Sequence, residues 1–231
     1  MDMLPRFVPF VFLSACVTQA PTHYVAPPSS VSEPQPIEEM TGGRTLDVEL
    51  GPSAEPKIVA EGFPAVSTDG RVAVAIQELG DGMRGFPSVV MRVFDATKGG
   101  APVQTLQIID VSDTADRPED VPETQFVQSR VKPRLAAVRT ILRDKKWIPL
   151  AAGGLEVAFE EEQLRVIDSK THRPLHTRHV GGIDQKECVF EPYEPKALSD
   201  PTRRFVLEQV SYRSGPDWCN MDDDLTLIVV R

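Results

Sequence analysis

No run in this chain is long and apolar enough to cross a bilayer as a helix. The best one, 7–13, is about half of the ~20 residues that the hydrocarbon requires, and it contains Pro9. Basic residues are in deficit, 25 Lys and Arg against 34 Asp and Glu, for a formal net charge of -9. That balance argues against nucleic acid as a partner, because phosphate binding needs concentrated Lys and Arg. Cysteine is scarce. The three present, Cys16, Cys188 and Cys219, stand too far apart to form the close-spaced ligand pairs of a zinc site. Strings of familiar catalysts are missing too: no Gly-x-Ser-x-Gly elbow, no His-Glu-x-x-His and no phosphate loop. These absences favour a binding or structural role over catalysis, with a hydrolase of unfamiliar site as the alternative. What is present, 41% apolar and 26% charged residues, is the composition of a folded globular chain.

The N-terminus carries one basic residue, Arg6, and then the apolar run Phe7-Val8-Pro9-Phe10-Val11-Phe12-Leu13. So short a core reads as a signal peptide rather than a span. The string Leu13-Ser14-Ala15-Cys16 that follows resembles the lipobox of bacterial lipoproteins, an aliphatic and two small residues before a cysteine. The resemblance covers only residues 1–16. It implies cleavage before Cys16, a diacylglyceryl group on the Cys16 thiol, and membrane attachment through lipid alone, since two acyl chains anchor stably where one is marginal. Val17, in place of Asp after the cysteine, implies the outer membrane under the sorting pattern of enterobacterial lipoproteins. The membrane is then one partner, through Cys16, and an envelope protein or polymer is the other that this location suggests.

Residues 16–56 are dominated by Pro, Ser, Glu and Gln, as in Ala26-Pro27-Pro28-Ser29-Ser30. With few large apolar groups to offset the entropy of ordering, they read as a tether, with a short strand at 45–50 joining the fold. A single β-rich domain is expected over 57–231. Strand signals occur at 71–77, 88–94, 103–110, 147–150, 154–160, 164–168, 176–180, 204–212 and 225–230. A helical insert is expected near 119–146, where Leu135, Val138, Ile141 and Leu142 share a face and Pro133 should break the helix or begin a second one. The expected class is α+β, mainly antiparallel sheet with that insert. Ser67-Thr68-Asp69-Gly70 and Ser199-Asp200-Pro201-Thr202 are similar to the turn that opens many β-propeller blades, which makes a partial β-propeller-like, all-β fold the alternative.

Export puts Cys188 and Cys219 in an oxidising compartment, with Cys16 occupied by lipid, so a disulfide between the two is expected. Lys132, Arg139, Arg143 and Lys146 form a basic stripe on the expected helix, suited to anionic lipid or an acidic partner. Other groupings read as ordinary surface. Gly80-Asp81-Gly82-Met83-Arg84-Gly85 matches a dinucleotide-binding string but leads into a strand instead of a helix. His172, His176 and His179 straddle a turn and a strand, where 176 and 179 have opposite parity. Asp217, Asn220, Asp222, Asp223 and Asp224 lack the pattern of a calcium loop, and Glu160, Glu161 and Glu162 lie at a hairpin tip. No metal, cofactor or catalytic residue is expected.

Overall fold

Runs in which β-branched or aromatic residues alternate with small or polar ones pair here as antiparallel strands, since that alternation gives each strand one face to bury. The computed structural model describes residues 45–50, 56–79, 88–114, 120–185, 188–214 and 222–230, all within the unit Ile37–Arg231. A hairpin pairs β1 (Thr45–Leu50) with β2 (Pro56–Glu61). A five-stranded sheet runs β6 (Gln104–Ile109), β5 (Ser88–Asp95), β4 (Val72–Leu79), β3 (Ala65–Ser67), β7 (Trp147–Pro149). A three-stranded sheet orders β10 (Pro174–His179), β9 (Gln163–Asp168) and β8 (Leu155–Glu160). A four-stranded sheet orders β11 (Ile183–Gln185), β12 (Cys188–Ser199), β13 (Phe205–Ser214) and β14 (Asp224–Val229). Every pairing is antiparallel, and among the described residues there is one α-helix, α1 (Glu123–Arg143).

The sheets stack in layers whose cores follow strand parity. α1 and the β1–β2 hairpin cover one face of the five-stranded sheet, where Val127, Val131, Leu135, Val138 and Leu142 meet Val74, Met91, Val93 and Ile108. The opposite face presents Ala73, Ala75 and Phe94 to Phe205, Leu207, Leu225 and Leu227 of the four-stranded sheet. Residues of the other parity, Val206, Val210 and Ile228, turn to the three-stranded sheet and its Leu164, Val166 and Val157. The four-stranded sheet is thus buried on both faces.

Two expectations need correction. Pro133 lies inside a continuous α1 rather than ending it. It sits on the exposed side, so the carbonyl it leaves unbonded is on the wet face, while the buried row at spacings of three and four residues packs straight past it. The strand expected at 45–50 does join the fold as β1, with Leu46 fully buried in the first core. Second, no ring of blades closes among the described residues. The three-stranded sheet lies beyond the four-stranded one despite preceding it in sequence, and α1 occupies the outer face where another blade would stack. The blade-like turns nonetheless share their chemistry. Asp69 accepts from the Ser67 hydroxyl and the Arg71 N–H, and Asp200 accepts from the N–H groups of Thr202 and Phe205.

Candidate functional site

The residues expected to act together are dispersed. Lys132 and Arg143 are exposed on α1, but Arg139 turns inward, donating from Nε and Nη2 to the Leu46 carbonyl at 3.1 and 2.9 Å, with Nη2 3.1 Å from Asp47 Oδ1. It stitches the helix to β1. Lys146 lies past the end of α1, in the turn before β7, where its carbonyl accepts from Thr68 N–H. The four therefore do not form one continuous stripe. Cys188 opens β12, half-buried and disulfide-bonded; Cys16, Cys219 and the 80–85 string lie outside the described residues.

The acidic and histidine groups disperse likewise. Asp222 Oδ2 lies 3.9 Å from Arg92 Nη2, Asp223 Oδ2 accepts from Gln209 Nε2 at 2.5 Å, and Asp224 Oδ2 accepts from Arg178 Nη2 at 3.0 Å. Three adjacent carboxylates so committed leave no common point for a cation. Glu161 and Glu162 form the two-residue β8–β9 turn at positive φ, and Glu162 Oε2 is 3.4 Å from His179 Nε2 at the surface. Among the described residues, no three His, Cys, Asp or Glu side chains converge as metal ligands. None of the helices there is long and apolar enough to cross a membrane.

The group with unusual chemistry is one the sequence reading passed over. Glu208 belongs to the β13 parity row with Val206 and Val210, and it is 0% exposed between the four-stranded and three-stranded sheets. Arg178 of β10 reaches across from the facing sheet. Its Nε donates to Glu208 Oε2 at 2.8 Å while its Nη2 serves Asp224, so one guanidinium answers two carboxylates. Among the described residues, Glu208 Oε1 has no hydrogen-bond partner. Burial pushes the Glu208 carboxyl above the usual range; Arg178 and His176 pull it down and Asp224 pushes it up, and burial prevails. Burial also opposes the charge on Arg178, but there the two carboxylates outweigh it and its pKa is raised. Tyr212, further along the same row, is raised by burial and then by Asp224.

At the other end of the three-stranded sheet a second pair spans the same layers. Asp168, closing β9, accepts from Arg203 Nη1 as well as from the N–H groups of Lys170 and Thr171. Elsewhere Asp113, also 0% exposed, joins Arg134 of α1 at 2.8 Å and caps Asp110 N–H. The pattern is consistent: buried or half-buried acids meet arginines from another element, and each pair ties two layers together. Glu208 has a poised carboxyl but no exposed surface, so it can exchange a proton without meeting a substrate. A lone acid on the inward parity of an otherwise apolar strand, Phe205-Val206-Leu207-Glu208-Gln209-Val210, was the signal that could have found it. Comparison with protein-family models, with curated proteins and with solved structures gave no match.

Proposed function

We propose that this protein is a non-catalytic lipoprotein of a bacterial envelope, anchored through Cys16, whose α+β domain binds an envelope protein or polymer or supports the envelope. The observation that carries the reading is the Leu13-Ser14-Ala15-Cys16 string behind a short apolar core. The Pro- and Ser-rich stretch after it supports the same reading: 28 residues separate Cys16 from β1, enough for a reach of up to roughly 100 Å if extended. The use of polar groups supports a non-catalytic role, since Arg92, Arg134, Arg139, Arg178 and Arg203 are each engaged in joining elements. Asp168 and Asp222 likewise meet Arg203 and Arg92. Outer-membrane placement follows from Val17.

Cys188 is paired with Cys219 in this reading. Phe190 stands opposite Ser214 in the β12–β13 register, so Cys188 lies at the strand end from which the 215–221 segment departs.

The test is metabolic labelling with a fatty-acid probe in a bacterial host, with membrane fractionation of the wild type and of Cys16→Ser. Label and membrane attachment in the wild type, both lost in the variant, are expected. An unlabelled wild type, or membrane attachment that survives the substitution, would overturn the anchor.

A further inference from the structure

The segment carrying β8, β9 and β10 forms a sheet that hydrogen-bonds only within itself in the strand pairings, and it enters through Gly153-Gly154 and leaves through Gly181-Gly182. Gly153 has φ 131 and Gly154 φ 67, and no atom lies within 4 Å of where a Gly153 Cβ would be. Gly153 can change its backbone angles with little to displace, whereas Gly182 in the exit link lies close to the Phe190 carbonyl, so the entry link is the freer of the two. The end beside it is pinned, because Asp168 holds Arg203, whose guanidinium also lies against Gly154. At the far end the sheet rests on a small apolar cluster, Leu164, Val180 and Val210 with Phe159 and Tyr212, and on Arg178.

Under that far end lies Glu208, sealed, with one oxygen unpartnered among the described residues and its arginine shared with Asp224. We propose that the β8–β10 sheet is a proton-latched flap, closed most firmly over the four-stranded sheet when Glu208 carries a proton and loosened when that carboxyl is ionised. The groups facing Glu208 are Arg178 and His176 from β10 and Asp224 from β14, with Tyr212 further along β13 itself. Closure replaces the water around one anion with a single N–H of a guanidinium that also serves Asp224, and this exchange is unfavourable unless the charge is removed.

The sign follows from linkage. A carboxyl raised on closure binds its proton more tightly in the closed form, so acid favours closure until the ordinary range of Glu is reached, and rising pH withdraws that contribution. Opening would uncover the Leu164 cluster and the Val210 side of β13, an apolar strip on one end of the flap. The pinned end, with Val166, Val206 and Ile228, should stay closed.

Amide hydrogen exchange of the full chain at about pH 5 and about pH 8, corrected for intrinsic rates, tests this. Lifted off its layer, the three-stranded sheet loses the apolar support that keeps its own hydrogen bonds shut, so protection at the Phe159, Leu164 and β10 amides should fall relative to β4 and β5 as pH rises, by at most about tenfold for each unit that closure raises the carboxyl. Glu208→Gln should abolish the pH response and keep the flap protected at both values. Asp224→Asn, at a partly exposed position, removes a charge that raises Glu208 and frees Arg178, so the response should move to lower pH. It decides the matter should Glu208→Gln fail to fold. Protection in β8–β10 that tracks β4 and β5 at both pH values, a response that survives Glu208→Gln, or one that Asp224→Asn leaves in place would overturn the proposal.

Discussion

Replacing Arg178 by Met should be among the most damaging single changes outside the apolar cores. The substitution keeps an unbranched side chain of similar reach, so the packing of its stem against the seam is largely retained and the loss is electrostatic. Glu208 is then 0% exposed with neither oxygen bonded by Arg178, and the expected cost at neutral pH is about 3 kcal/mol. The lower end of the usual range for breaking a buried pair is taken because Arg178 is itself 23% exposed and water can replace part of what it gave. A double variant, Arg178→Met with Glu208→Met, removes both charges and should recover most of the loss, because a buried pair exchanged for apolar groups of similar volume is often close to neutral. Urea unfolding of the wild type, both single variants and the double variant measures the cycle. The cost of Arg178→Met should also shrink at lower pH, where Glu208 takes up a proton and no longer needs a counter-charge. A single-variant cost below about 1 kcal/mol, or a double variant no more stable than Arg178→Met, would refute the reasoning.

Two further outcomes follow from the fold. Pro133→Ala should raise stability by about 1 to 3 kcal/mol in urea melts, because the helix already continues through an exposed proline that withholds one hydrogen bond; a loss would mean that the proline ring packs where it is needed. Reducing the Cys188 disulfide should lower stability by roughly 3 to 4 kcal/mol by loop-closure entropy if Cys219 is its partner, and loosen β12 to β14 before β4 and β5. Two titratable thiols in unreduced, unfolded Cys16→Ser protein, or a melting temperature indifferent to confirmed reduction, would count against that pairing.

Strand periodicity in this chain is a local property, and it was legible wherever a run alternated cleanly, at ten of the fourteen described strands. The alternation at 154–160 became β8, the β-branched run at 88–94 became β5, and the apolar face around Leu135, Val138 and Leu142 became the buried side of α1. Burying one face needs only the residues of that segment and water, so local sequence decides it. Turn chemistry was local for the same reason, since Asp69 and Asp200 each cap N–H groups within five residues.

Partner choice was not legible. Arg139 reads as surface charge until β1 arrives from 93 positions away to place the Leu46 carbonyl beside it. Pro133 breaks isolated helices, and packing of α1 on the five-stranded sheet overrides that preference. Glu208 looked like one polar residue in an apolar strand; what made it special was a second sheet laid across it with a single arginine for two carboxylates. The sequence by itself determined ten of the fourteen described strands and the helix; β2, β3, β11 and β12 carried no local strand signal, and in β12 Pro192 and Pro195 hid a strand that pairing with β13 holds around a register shift between Tyr193 and Lys196. Tertiary structure alone decided which sheets face each other and which charges share a seam, because the order of layers depends on contacts between distant segments whose free energies no local pattern records.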